Sequence, residues 1–279
     1  MNKEVSQQVA GNPQQLVLDD QLLGLHSVQN ARQLGGYRIG RKTVKRDRLL
    51  RSGALSRLVP EEAEMLHDRF RLRMVYDFRS EDERLAAPDR LPDGTGFEVL
   101  GTSLTDIRLP ETIELQDIGS IVRYLLENAD KPWLKKMCAQ LYEKVLLEEA
   151  GQQVYRRFFE SLTALPDDVG AVLWHCTQGK DRAGCASALL LAVLGADRNL
   201  IVQDFSLSAM YYAPMVAQLP VRTVEQRNVV QTLIGANVCL FEATLDSIDR
   251  QYGSMDGYLS RCLGVTEGMK RTLRARYLE

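Results

Sequence analysis

Short apolar runs near residues 25–29, 36–40 and 48–51, separated by glycine turns, predict early strands. Pro60, followed by Glu61 and Glu62, predicts a helix reaching about Phe70, since proline and acids suit a first turn. Residues 71–78 then predict a strand carrying Asp77 at its C-terminal end. The stretch 86–110 holds Pro88, Pro92, Gly94, Gly96 and Pro110 and is expected to be largely loop. From about 113 to 164 apolar residues recur at helical spacing, among them Ile121, Leu125, Leu134, Met137, Leu141 and Val145. A buried-strand run over 170–175 leads into an apolar helix closed by Gly195, and residues 198–279 predict helix almost throughout. Residues 1–15 are polar and Gln-rich, expected as a loose lead-in to one α/β domain over 16–279.

Between that buried strand and its helix lie Cys176 and Arg182, six positions apart around Gly179. A loop opening onto a helix N-terminus can wrap its backbone N–H groups around a phosphate. Cys176 would lie at the floor of that cradle, and the planar fork of Arg182 could grip two phosphate oxygens. A helix N-terminus and nearby cations favour the thiolate form of a cysteine, the form that attacks phosphorus. The first product would be a phosphocysteine, which water then hydrolyses. Arginine at a helix start is electrostatically disfavoured unless an anion binds there, so its presence argues for one. Read blandly, Cys176 is a structural cysteine at a strand end, and the flanking His175, Gly179 and Arg182 argue against that. His175 could fix the cysteine backbone.

The run His175-Cys176-Thr177-Gln178-Gly179-Lys180-Asp181-Arg182-Ala183-Gly184 resembles the phosphate loop of cysteine-dependent tyrosine and dual-specificity phosphatases. It is closest in kind to a bacterial branch whose loop carries Gly-Lys-Asp-Arg. Asn30-Ala31-Arg32-Gln33-Leu34-Gly35-Gly36, Leu50-Arg51-Ser52-Gly53, Asp77-Phe78-Arg79-Ser80 with Glu83, and Tyr252–Leu259 are similar to further segments of that branch. The resemblance spans about residues 25–279. It implies a central sheet flanked by helices, with extra helical segments, 113–150 and Tyr211–Pro214, as candidates for a lid. It also implies a phosphatase acting on phosphotyrosine, with phosphoserine, phosphothreonine or phosphoinositides as further candidate substrates. One departure stands out. Ala183 occupies the position where the family usually has serine or threonine, whose hydroxyl helps the cysteine sulfur leave.

The candidate catalytic residues are therefore Cys176, Asp181, Arg182 and Asp77, and the candidate substrate contacts are His175, Thr177, Gln178, Gly179, Lys180 and Ala183. The leaving oxygen needs a proton, so one carboxylic acid must be near. Asp181 is either that acid, a residue orienting water, or a helix cap. Asp77 is either the acid or an ion-pair partner of Arg79, while Asp89, Asp93 and Asp167 each follow proline and carry a weaker signal. Lys180 is a solvated loop charge or a second cation for multiply phosphorylated substrates. Cys185 either packs in the core or pairs with Cys176 by disulfide.

Composition narrows the picture. A net charge of −2 and 45% hydrophobic content give no general attraction for nucleic acid or anionic membrane. Five cysteines without metal-ligand spacing and only three histidines disfavour a zinc site, and no metal or organic cofactor is implied. The N-terminus lacks an apolar signal core, and no run approaches transmembrane length, so a cytoplasmic location is expected. A phosphate-binding module without turnover is the alternative from a different class, motivated by Ala183.

Overall fold

A computed structural model describes residues 13–101 and 118–279. Residues 1–12 of the expected lead-in, 102–110 of the expected loop and 113–117 of the candidate lid lie outside the described residues. The last three residues of that expected lead-in belong to α1 (Pro13–Gln21). Of the three early apolar runs, the first forms no strand. The others contribute β2 (Arg38–Ile39), paired with β3 (Lys42–Thr43), and β4 (Leu49–Ser52). The two-residue β1 (Arg32–Gln33) precedes them.

Helix α2 (Pro60–Asp68) and strand β5 (Leu72–Asp77) follow as the pattern predicts, then α3 (Glu81–Ala86). Strand β6 (Gly96–Val99) falls inside the expected loop. Its glycine and proline surroundings hide a short edge strand, which needs few apolar residues. The helices α4 (Ile118–Glu127), α5 (Pro132–Ala139), α6 (Leu141–Leu147) and α7 (Glu149–Ala164) fill the helical stretch. Strand β7 (Ala171–His175) and helix α8 (Arg182–Leu194) bracket the cysteine loop. Gly195 ends α8 in the left-handed conformation at φ 101°, a C-terminal stop that suits glycine. The remainder is α9 (Arg198–Ala217), α10 (Val224–Leu233), α11 (Val238–Tyr252), α12 (Met255–Arg261) and α13 (Glu267–Tyr277).

The main sheet runs β1-β4-β7-β5-β6, with β4, β7, β5 and β6 parallel and β1 antiparallel at the edge. Strand β7 is central and buried on both faces, which explains its unbroken apolar run. Val172 and Trp174 face the larger core, shared with α7, α8 and the C-terminal helices. Ala171 and Leu173 face a smaller core with Leu66 of α2 and the segment Leu23–Ala31. Register aligns Ser52, His175 and Asp77 across three neighbouring strands at their C-terminal ends. Open α/β sheets bind ligands at that edge.

Helices α4, α5 and α10 bury their apolar faces on one another and on the end of α9, in two small clusters separate from the main core. Among the described residues no single helix is long and apolar enough to cross a membrane.

Candidate active site

The loop from Cys176 to Asp181 leaves the central strand and enters α8. Its carbonyls are engaged from outside. The Ala54 N–H donates to Thr177 O at 3.0 Å, and the Tyr212 hydroxyl donates to Gln178 O at 2.6 Å. Gly179 O accepts from Arg51 Nη2 at 2.8 Å and from Asn30 Nδ2 at 3.0 Å, and Arg51 also reaches Lys180 O at 3.4 Å. A trans peptide holds each C=O opposite the following N–H. With the carbonyls drawn outward, the N–H groups of Gln178, Gly179, Lys180 and Asp181 are directed toward the interior of the loop. Gly179 makes this path possible. Its φ of +68° favours glycine, and a Cβ there would come within 2.4 Å of the Ser52 backbone.

The braces are themselves fixed by buried charge. Asp204 on α9 takes Arg51 Nη1 at 2.8 Å and lies 3.7 Å from Arg32 Nε, and it accepts from the Tyr37 hydroxyl at 3.1 Å. Burial, then the neighbouring Arg32, lowers the Arg51 guanidinium to about 10, while Asp204 works against the fall. Two buried arginines share one carboxylate behind the cysteine. That arrangement leaves positive charge on the side where a thiolate and an oxyanion would lie.

Cys176 is buried and carries a free thiol. Arg182 is buried too, and Glu83 on α3 holds its fork with two bonds, Nη1 to Oε2 at 2.6 Å and Nη2 to Oε1 at 2.7 Å. The Phe78 carbonyl accepts a further bond from Nη1 at 3.1 Å. The Thr177 hydroxyl also donates to Glu83. Burial would raise the Glu83 carboxyl, but the hydrogen bonds and charge of Arg182 outweigh it and hold the group at about 2. A bidentate pair fixes the guanidinium plane, the property a tetrahedral oxyanion requires of its clamp. The sequence holds the signal for Glu83 in Ser80-x-x-Glu83, which forms a capping box at the start of α3.

The two candidate acids have different surroundings. Asp181 is the N-cap residue of α8 but makes no side-chain bond to its own helix. Its Oδ1 accepts from the Tyr142 hydroxyl at 2.9 Å, and its Oδ2 from Lys180 Nζ at 2.6 Å. Its side chain is 18% exposed. Lys180 is not a solvated loop charge. It is 1% exposed, and its ammonium also donates to the Thr232 carbonyl in the last turn of α10, where helix dipoles favour a cation.

Asp77, expected as an alternative acid, is fully buried and faces Arg79. Arg79 Nε lies 3.0 and 3.1 Å from its two oxygens, Nη2 lies 2.8 Å from Oδ2, and the Arg79 N–H donates at 2.8 Å. Arg79 also donates to Asp89 at 2.6 Å. The side chain of His175 points into this cluster. Its Nε2 stands 3.2 Å from Asp89, its Nδ1 is 3.8 Å from Asp77, and the same Nδ1 is 3.3 Å from the Cys176 carbonyl. His175 is thus placed against the cysteine backbone, with no exposed ring surface to offer a substrate. Asp77, Asp89 and His175 offer ligand atoms within 4.8 Å of one another, but the Arg79 guanidinium already supplies the cation between the two carboxylates.

Ala183 is buried, and its carbonyl accepts from Trp174 Nε1 at 3.1 Å. Cys185 packs fully buried in the main core, where burial, then Asp181, pushes its thiol up. Tyr212, part of the Tyr211–Pro214 segment, lies within α9 and braces the loop. The residues that sequence reasoning missed are Tyr142, Tyr212 as a brace, Thr232 and Asp204. Tyr142, Tyr212 and Thr232 meet the loop, and Asp204 meets its braces, each from a helix whose spacing signals only core.

Residues 23–279 match the sequence profile described as the tyrosine phosphatase family. A putative tyrosine-protein phosphatase of Cupriavidus necator is 28% identical over 263 residues, covering 92% of this chain and 88% of that protein. The triple specificity protein phosphatase PtpB of Mycobacterium tuberculosis is 26% identical over 254 residues, covering 81% of this chain and 89% of its own. The core catalytic domain of the PP-IP phosphatase SIW14 from S. cerevisiae overlaps more loosely, at 13% identity and a TM-score of 0.32 over 71% of this chain and 87% of that one. The chain belongs to the tyrosine phosphatase family and is a phosphatase.

Proposed function

We propose that the chain hydrolyses phosphotyrosine through a phosphocysteine on Cys176, and that phosphoserine and phosphothreonine are further substrates. The observation that carries this reading is the loop itself, with outward carbonyls, inward amides, a buried cysteine and a clamped arginine. The Cys176 thiolate attacks phosphorus in line while the loop amides and Arg182 hold the equatorial oxygens, so positioning and charge supply most of the catalysis. Asp181 gives its proton to the leaving phenolate. It then takes a proton from the water that displaces the cysteine sulfur. Asp77 acts at one remove, through Arg79 and His175, on the cysteine backbone.

The phosphoinositide alternative rested on Lys180 as a second phosphate contact. With its ammonium held by Asp181 and the Thr232 carbonyl, Lys180 lends that alternative no support.

Rapid-quench kinetics on an aryl phosphate, with mass analysis of the quenched protein, tests the proposal. Wild type is expected to show a phosphorylated peptide containing Cys176. Cys176→Ser is expected to bind phosphate and turn over nothing. Turnover by Cys176→Ser, or a phosphate carried elsewhere, overturns the reading. Initial rates on phosphotyrosine peptides and on soluble phosphoinositides separate the protein reading from the lipid one, and a strong preference for the phosphoinositides overturns the protein reading.

A further inference from the structure

Asp181 sits where an aspartate ordinarily bonds the free N–H groups of the first helical turn, a contact worth about 1 kcal/mol. It makes no such bond. Something else holds the carboxylate, and one of its two partners comes from far along the chain. Tyr142 lies on α6, outside the strand, loop and helix that form the site.

The tyrosine is almost wholly buried and has little freedom. Its ring meets Phe205 of α9 edge to face at 5.4 Å and Phe241 of α11 at 5.9 Å. Those two rings stack on each other at 3.9 Å. Such a cage fixes the ring plane, so the phenolic oxygen has one position. The phenol donates its hydrogen bond to Asp181 Oδ1, 2.9 Å away.

We infer that Tyr142 is the positioning residue of Asp181, aiming its carboxyl at the mouth of the loop instead of at the helix it would otherwise cap. The inference rests on the reading of Asp181 as the proton donor and acceptor proposed above. Lys180 holds the other oxygen, so the carboxyl plane is defined from two sides. Among the described residues, the other groups with charge or a titratable proton around Asp181 are Arg182 and Cys185 on α8 and Tyr212 on α9. None of these is hydrogen-bonded to the carboxyl in the way Tyr142 and Lys180 are. A buried phenol directed at a carboxylate stabilises its charged form, and burial, then Asp181, raises the phenol itself well above its usual range.

The test compares pH–rate profiles of wild type, Asp181→Asn and Tyr142→Phe on aryl phosphates with good and poor leaving groups. Asp181→Asn is expected to remove one limb of the profile. Tyr142→Phe is expected to keep that limb but move it to higher pH, with kcat down roughly tenfold or more and KM within about twofold, the scale of one lost hydrogen bond to a charged group. Fluorotyrosine at position 142 keeps the ring and strengthens the donor, so it moves the limb the other way. That variant serves also if Tyr142→Phe fails to fold. If Asp181→Asn removes the limb and neither change at 142 moves it, Tyr142 is only packing and the inference falls alone. If Asp181→Asn leaves both limbs in place, the reading of Asp181 and the inference fall together.

Discussion

The sheet side and the helical side of the loop each contribute an aspartate, and the two are held in opposite ways. On the sheet side Asp77 lies in a sealed cluster with Arg79, Asp89 and His175, where every oxygen has a permanent cationic or N–H partner. On the helical side Asp181 is held by a phenol and an ammonium, forgoes its own helix and keeps part of its surface open. A carboxylate locked to a buried guanidinium cannot exchange a proton without leaving that cation uncompensated, a loss of about 3–5 kcal/mol. Asp181 also faces a buried cation in Lys180, but its partly exposed side chain leaves a proton a route to solvent. On the proposed reading, the same residue type, next to the same loop, supports structure in one place and transfers a proton in the other.

The sharpest way to break this contrast is to exchange each acid for its amide. Asp181→Asn is expected to lower kcat by about 10²–10⁴ on substrates with poor leaving groups, and far less when the leaving group needs no proton. Thermal melting should fall less than for Asp77→Asn, because an amide oxygen at 181 can still accept from Tyr142 or Lys180 and the position is partly exposed. Asp77→Asn should do the reverse, with a stability loss of about 3–5 kcal/mol in denaturant titration and a pH–rate profile of unchanged shape. A profile that loses a limb in Asp77→Asn would collapse the distinction.

Glu83 extends the contrast to the clamp. Its carboxyl is held at about 2, below its unfolded value of about 4.3, so its contribution to stability is full above that value. It is lost as pH falls from about 4.3 through 2, on the order of 3 kcal/mol in all. Glu83→Gln is expected to be less stable at neutral pH and to show a flatter decline over that acid window, measured by urea titration at stepped pH. An unchanged slope would remove Glu83 from the account.

The smallest expected effect is at Ala183. Wild type should show a pre-steady-state burst, and Ala183→Ser should shrink it by speeding phosphoenzyme hydrolysis by roughly tenfold at most, the scale of one hydrogen bond. A wild type without a burst would mean the missing hydroxyl costs nothing.

The loop was legible because its parts are contiguous. A strand, a glycine, a cysteine and an arginine within a dozen residues leave few geometries open, and the parallel sheet around them follows from the buried run of β7. Asp77 and Asp181 could not be ranked in the same way. The spacing of Asp77 and Arg79 permits an ion pair without requiring it, and whether Asp181 caps its helix depends on Tyr142, which lies 39 positions away. The braces Tyr212 and Asp204 look like any other position on an apolar helix until the fold brings α9 against the loop. Strand β6 was hidden by the glycines and prolines that flank it. Local chemistry is written locally, whereas the partners that select among its options are set by packing.

The outward carbonyls of the loop have a consequence for inhibition. Because Arg51, Asn30, Tyr212 and the Ala54 amide set the amide directions, the shape of the cradle is fixed by the fold's own contacts. A rigid ring of N–H groups recognises the size and charge of a tetrahedral oxyanion and little else about it. Sulfate, tungstate and vanadate should therefore compete with substrate at the floor of the site. Selectivity among phosphorylated molecules then belongs to the rim, where an inhibitor meant for this enzyme alone would have to make its contacts.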